Sequence, residues 1–311
     1  MTRATDRHSA TQGVGLSLGA SSLFAAMYYY TSWLEPLDGE QIFAWRMLLT
    51  VPILTLYVIA WGEWPQVRRL AQRLRHEPLL WVALPCSALL IGVQLWLFLW
   101  APLNGRALEV SLGYFMLPLS ILLIGRLVYG EKLSPMQNLA AVVAAIGVVH
   151  EFYQVGGFSW ASLLVALGYP FYFILRRSVG TNSIAGLWFD MLMTLPIALL
   201  FLAAAGDPTA ALADRPALLV LLPLLGLLSA TAVAFYILAS HRLSLGLFGL
   251  LGYVEPVLLV LVALLLGERI QANEWLTYVP IWVAVALLSA EGVYTLGKQT
   301  RTRIGKPREL P

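Results

Sequence analysis

The sequence predicts an all-α integral membrane protein of ten transmembrane helices, arranged as two inverted five-helix repeats. Three observations carry this expectation. Of the 311 residues, 59% are hydrophobic and only 12% charged, about half the charged fraction of a soluble domain. Ten apolar stretches approach or reach the roughly 20 residues that a membrane-spanning helix needs. The stretch 108–133, LEVSLGYFMLPLSILLIGRLVYGEKL, also has an echo at 252–270, GYVEPVLLVLVALLLGERI. Each has a Gly-Tyr pair, a proline, an apolar run and a Gly-Glu stop followed by a basic residue.

The ten stretches are 13–33, 41–61, 79–100, 107–127, 135–152, 158–177, 183–204, 217–240, 247–266 and 273–296. The first is longer than a signal-peptide core, ends in tyrosines and lacks a small-residue cleavage pattern, so it is read as a retained helix. The second opens after the turn-forming EPLDGE and carries Arg46 near its start. A basic connection, 62–78, leads to the third and is too short for a domain. APLNGR introduces the fourth, which contains Pro118. VGGF separates the fifth from the sixth, and GDPT the seventh from the eighth. The ninth contains Glu255 and Pro256, and the tenth runs into a basic tail from Gly297.

These connections leave no space for a soluble catalytic module, so no enzyme activity is expected. A single cysteine, Cys86, precludes an internal disulfide, and the four histidines lie far apart without ligand spacing, so neither a metal nor a cofactor is expected. The formal charge of +3 is read as basic cytoplasmic loops rather than a nucleic-acid footprint, because no basic-aromatic patch accompanies it. GVYTLGKQ (292–299) approaches phosphate-loop spacing, but Gln299 stands where a hydroxyl residue binds magnesium, and the segment follows an apolar helix rather than a strand.

Charge sets the orientation. With the N-terminus in the cytoplasm, sixteen of the twenty Lys and Arg residues fall on the cytoplasmic side, including Arg68, Arg69, Arg73, Arg75, Arg176 and Arg177. Three, Arg106, Arg215 and Arg269, fall outside, and Arg46 lies within a span. Basic residues favour the cytoplasmic side, so both termini are expected there. Trp33, Trp61, Trp64, Trp81, Trp100, Trp160 and Trp275 all sit near span ends, where indoles favour the interface. Arg greatly outnumbers Lys, which suggests GC-rich bacterial coding and an inner-membrane location.

The echo joins the fourth stretch to the ninth, a period of five. Five is odd, so the second copy enters the membrane from the opposite side, giving repeats over 1–152 and 153–311. Inverted repeats characterise secondary transporters, whose solute site lies near the midplane between the halves. The small-residue pairs Gly15-xxx-Gly19 and Ala140-xxx-Ala144 are read as helix contacts, within one molecule or between two. Oligomeric state is left open.

Several stretches resemble the drug/metabolite transporter superfamily: FAWRMLL, SLGYFMLPL and the paired GEKL and GERI. GVQLWLFLWAPLNGRALEVSLGYFMLPL and WVAVALLSAEGVYT are similar to its EamA-domain, RarD-type branch. The resemblance covers nearly the whole chain and implies a cytoplasmic-membrane carrier of small metabolites, usually an exporter, with two EamA repeats around a central cavity. The chain departs from the branch pattern at Trp45, where His is expected, and at Leu117, where Asn is expected.

A charged residue at the bilayer centre is costly, about 2.5–3.5 kcal/mol on insertion scales, so it marks a cavity or a partner. Glu255 directly precedes Pro256 in a stretch with no other charge, and is read as a binding or proton-carrying group, or as a pin to a neighbouring helix. Arg46 has three roles open to it: snorkelling to the interface, holding a carboxylate-bearing solute, or pairing with a buried acid. Asp190 sits on the stretch equivalent to that of Arg46 (WFDM against AWRM), which raises a gating pair between the two. Glu109 is either a cavity group or a carboxylate favoured by a helix N-terminus. Gln94, Tyr114 and Tyr253 are polar groups in apolar runs, able to orient a solute or to bond neighbouring helices. Pro118 and Pro256 are read as equivalent kinks or hinges.

The expected function is thus a secondary transporter, probable exporter in direction, of a small amphiphilic or zwitterionic metabolite or drug, with proton coupling through Glu255 as a further step. Its partners are a small-molecule solute and membrane lipid. The alternatives are an integral membrane enzyme acting on a lipid-linked substrate, which would need paired carboxylates or a metal cluster, and a non-transporting scaffold or sensor.

Overall fold

A computed structural model describes residues 2–129, 134–155, 159–206, 210–243, 248 and 251–305. Among them are twelve α-helices and no β-strand: α1 (Thr2–Tyr30), α2 (Gly39–Ala60), α3 (Trp64–His76), α4 (Leu80–Leu103), α5 (Ala107–Tyr129), α6 (Pro135–Val155), α7 (Trp160–Ser178), α8 (Ile184–Ala204), α9 (Ala210–Asp214), α10 (Leu218–Arg242), α11 (Val254–Leu265) and α12 (Trp275–Gly305). Local chemistry fixes several ends. Asp38 and Gln41 form a reciprocal capping box at the start of α2, with bonds of 2.8 and 3.0 Å. Ser159 and Ser183 cap α7 and α8, and Gly267, at φ +95°, turns the chain out of α11.

The helices α2, α4, α8 and α10 are long and apolar enough to cross a membrane, and shorter apolar stretches lie in α5, α6, α11 and α12. The protein is an all-helical membrane protein. Its surface says the same: Leu56, Leu79, Val82, Leu200, Val220 and Leu265 are each more than 60% exposed. Large apolar side chains left uncovered in that number need lipid around them.

The principal packing pairs are α1 with α10, α6 with α12, α5 with α7, and α2 with both α8 and α10. α4 packs on α7 and α8, and α11 on α1 and α5. Tyr28, Phe43, Met47, Leu84 and Leu97 are buried in the main core. Ala140 and Ala144 of α6 form a second cluster with Ala284 of α12. Small side chains bring these two helices close, and a Cβ on Gly147 would lie 2.5 Å from the Thr277 carbonyl oxygen.

The structure departs from the sequence expectations in four places. The connection 62–78 contains a helix, α3, whose Val67 and Leu70 are buried while Arg68, Arg69 and Arg75 are exposed. Glu255 and Pro256 do not sit inside a continuous ninth helix: Gly252 and Tyr253 form a turn, and α11 starts at Val254. Pro256 therefore occupies a first turn, where its missing N–H has no helical acceptor to lose, and its reading as a mid-helix kink is corrected. The twelfth helix continues past 296 to Gly305. Gly15 meets nothing within 4 Å in this chain; it is Gly13 that packs on Leu243, and Gly19 on Phe235. Pro118 lies within α5, and the GEKL segment falls outside the described residues.

Candidate functional site

Arg46 is set into the core from α2 and is 1% exposed. Its Nε–H donates to Ser229 Oγ of α10 at 2.9 Å. The guanidinium carbon stands 5.9 Å from the Phe98 ring centroid, a cation–π contact that steadies the group. NH1 is buried with no hydrogen-bond partner. Burial on this scale removes the snorkelling role, and no ion pair to Arg46 exists among the described residues.

Close helix contact builds the next part. Gly113 lets α5 approach α7, since a Cβ there would lie 2.7 Å from the Ser162 carbonyl oxygen. That approach brings the Tyr114 hydroxyl to 2.9 Å from the Tyr169 hydroxyl, with ring centroids 5.7 Å apart. Both tyrosines are within electrostatic reach of Arg46 and of Glu255. Tyr236 of α10 is likewise within electrostatic reach of Glu255. Glu255 lies in the first turn of α11, where the helix dipole favours a carboxylate, and it keeps part of its surface accessible. Tyr253 is the N-cap residue of the same helix and is half-buried.

The Tyr114–Tyr169 pair of α5 and α7 is thus the element that both Arg46 of α2 and Glu255 of α11 influence electrostatically. Tyr169 and Tyr236 were missed by sequence reasoning. Tyr169 did carry a signal, since Gly168-Tyr169-Pro170 repeats the Gly-Tyr-before-proline pattern of the fourth and ninth stretches.

Other candidates lie elsewhere. Asp190 is fully buried and bonded three ways: Ser87 Oγ donates to it at 2.7 Å, Tyr172 OH at 2.9 Å, and Arg176 NH1 stands 3.4 Å away. The gating pair of Asp190 with Arg46 is therefore corrected to a local pair with Arg176. Arg176 counts in sequence among the cytoplasmic basic residues, but the following loop folds back over it, and it donates to the carbonyls of Thr181 and Ser183 at 2.6 Å each. Gln94 donates to the Leu164 carbonyl at 2.6 Å, while its Oε1 is buried without a partner. Glu109 pairs with Arg106 at 2.9 Å and accepts from the Ser159 hydroxyl, a helix-start role. Glu268 was not singled out from sequence, yet it accepts the amides of Ala107 and Leu108 at the head of α5.

Known proteins resemble this chain along nearly its whole length. The profile of the EamA-like transporter family matches residues 11–150. The chain is 47% identical over 294 residues to the "Chloramphenicol-sensitive protein RarD" of Pseudomonas aeruginosa, covering 94% of this chain and 98% of the relative. It is 39% identical to an uncharacterized transporter of Pasteurella multocida over 93% and 99% of the two chains. To "Protein RarD" of Escherichia coli it is 29% identical, over 93% and 98%. A solved crystal structure only 18% identical has the same fold, with a TM-score of 0.53 over 89% of this chain and 98% of its own.

Proposed function

Because the chain belongs to the EamA-like transporter family, in the RarD-type branch of the drug/metabolite transporter superfamily, we propose that it is a ten-span secondary transporter. It moves a small amphiphilic or zwitterionic metabolite or drug out of the cell by alternating access. The observation that carries this reading is the group formed by Arg46, the Tyr114–Tyr169 pair and Glu255. Two opposite charges lie within electrostatic reach of one aromatic, hydroxyl-bearing pair, and helices of both halves contribute the four residues. Such a group suits a solute with an apolar body and charged or polar ends.

Packing supports the inverted repeats. Exchange α1, α2, α4, α5 and α6 for α7, α8, α10, α11 and α12. The pair α1–α10 becomes α7–α4, α5–α7 becomes α11–α1, and α2–α10 becomes α8–α4; all are principal contacts. α2–α8, α5–α11 and α6–α12 map onto themselves. In this reading halves of five helices each run in opposite senses through the membrane, and the bias of basic residues favours both termini on the cytoplasmic side.

Proton coupling runs through Glu255 in this scheme, because it is the acid of the central group and stands where the other half has Leu117. The test has two stages. Metabolites released by cells with and without the protein identify a solute, and proteoliposomes then measure its accumulation across an imposed pH gradient. Wild-type protein accumulates the solute along the gradient, and Glu255→Gln abolishes the pH dependence. Unchanged pH dependence in Glu255→Gln contradicts the coupling, and no protein-dependent release contradicts transport itself.

A further inference from the structure

The charged residues of α2 and α8 are held in the same way but neutralised differently. Arg46 of α2 is bonded to Ser229 of α10 at 2.9 Å. Asp190 of α8 is bonded to Ser87 of α4 at 2.7 Å. Under the exchange that maps α2 onto α8 and α10 onto α4, these are one contact made twice: a charged side chain of one half tied to a serine of the other.

Beyond that contact the symmetry breaks. Asp190 has a charge partner from α7, Arg176, and a second hydroxyl from Tyr172. Arg46 has no such complement among the described residues. Its NH1 is buried without a partner. The helix corresponding to α7 is α1, and residues 12–30 of α1 contain no acid. Among the described residues Glu255 forms no ion pair with Arg46, and the Tyr114–Tyr169 pair lies within electrostatic reach of both charges.

A guanidinium N–H aimed into a low-dielectric core without an acceptor is costly unless something else supplies one. A resident carboxylate, such as Asp190 provides for Arg176, would satisfy Arg46 permanently and compete with any arriving anion. We infer that the missing partner is the cargo: the transported solute carries a carboxylate that binds Arg46 through NH1, with Ser229 as the positioning residue that aims the guanidinium. The planar guanidinium matches a planar carboxylate in geometry as well as charge. Phe98 holds one side of the group, and Ser229 takes up Nε, which leaves NH1 as the unpartnered donor for the cargo. The apolar body of the solute then lies along the tyrosine pair, with Glu255 at the far end.

This inference rests on the transporter reading, and the experiment separates the two. Solutes whose release depends on the protein are identified by comparing cells with and without it. One of them is then followed in proteoliposomes beside its own carboxamide, using wild-type protein, Arg46→Gln, Ser229→Ala and Ser229→Thr. Released solutes bearing a carboxylate are expected, with wild-type transport favouring the acid over its amide by at least about tenfold. Arg46→Gln erases that discrimination. Ser229→Ala raises the KM for the acid about tenfold with little change in kcat, and Ser229→Thr restores it to within about twofold. The serine pair keeps the test open if Arg46→Gln does not fold. Released solutes without an acidic group, or an acid-to-amide preference untouched in Ser229→Ala, overturn the inference and leave the transporter reading standing. No protein-dependent release overturns both.

Discussion

Glu268 and Leu108, 160 positions apart, are joined by a 2.7 Å bond from the Leu108 amide to Glu268 Oε2. The Ala107 amide donates to Oε1 at the same distance. The Glu of the second Gly-Glu motif thus satisfies two of the free amides at the head of α5, a place favoured for negative charge by the helix dipole. Tyr28 adds a bond to the Ala107 carbonyl at 3.1 Å.

Removing this clasp frays the start of α5. Glu268→Ala is expected to lower stability by about 1–2 kcal/mol, read as a lower melting temperature in detergent. Burial raises the Glu268 carboxyl above its ordinary range and outweighs the two amide donors. The folded state therefore holds a proton that the unfolded state releases, and this contribution to stability is lost as pH rises from the ordinary carboxyl value through the raised one. Melting curves across mildly acidic pH register that slope, and Glu268→Ala flattens it.

Two arginines tie loops of one proposed half to the other. Arg73 of α3 donates to the carbonyls of Val179 and Gly180 at 3.0 and 3.1 Å, at the end of α7. Arg215, just beyond α9, donates to the Glu35 carbonyl beyond α1. The helix exchange proposed above maps one strap onto the other. Arg73→Ala is expected to raise access from the cytoplasmic side and Arg215→Ala from the outer side. Side-specific labelling of single cysteines placed near Tyr253 on a Cys86→Ala background measures both, and shifts in the same direction for the two variants contradict gating by these straps.

Asp190 is expected to matter for folding more than for the solute. Asp190→Ala leaves Arg176 without its carboxylate in a buried setting, a loss of about 3–5 kcal/mol, visible as a lower melting temperature or failure to extract as a monodisperse species. The double variant Arg176→Met, Asp190→Leu recovers much of that stability, because an apolar pair carries no desolvation cost.

Gln94 depends on the absence of a side chain at Gly168. A Cβ there would sit 1.9 Å from Gln94 Nε2, so Gly168→Ala forces the amide off the Leu164 carbonyl. Overpacking of this kind costs about 1–3 kcal/mol. Combining Gly168→Ala with Gln94→Ala relieves the clash, and melting of the double variant above that of Gly168→Ala alone checks it.

Much of the helical layout was legible because lipid demands long apolar runs, and α2, α4, α8 and α10 answer it directly. The amphipathic α3 was hidden by its polarity: thirteen residues with only Val67 and Leu70 buried give no hydropathy signal. Arg46 and Glu255 stood out as isolated charges in apolar runs, and both lie within electrostatic reach of the Tyr114–Tyr169 pair. Arg176 did not stand out, because its burial comes from a loop folding back over a helix end, a tertiary event that local sequence does not encode. The turn at Gly252–Tyr253 was likewise masked, since an apolar run reads the same whether or not a helix restarts within it.

Alternate opening of the Arg46–Glu255 region is tested most directly by two-sided accessibility. Tyr253→Cys on the Cys86→Ala background is treated with a membrane-impermeant thiol reagent, once in right-side-out and once in inside-out vesicles. Labelling from both sides is the expected result, with addition of a transported solute lowering both rates. Labelling from one side alone, at every solute concentration, would contradict an alternating-access transporter built around this site.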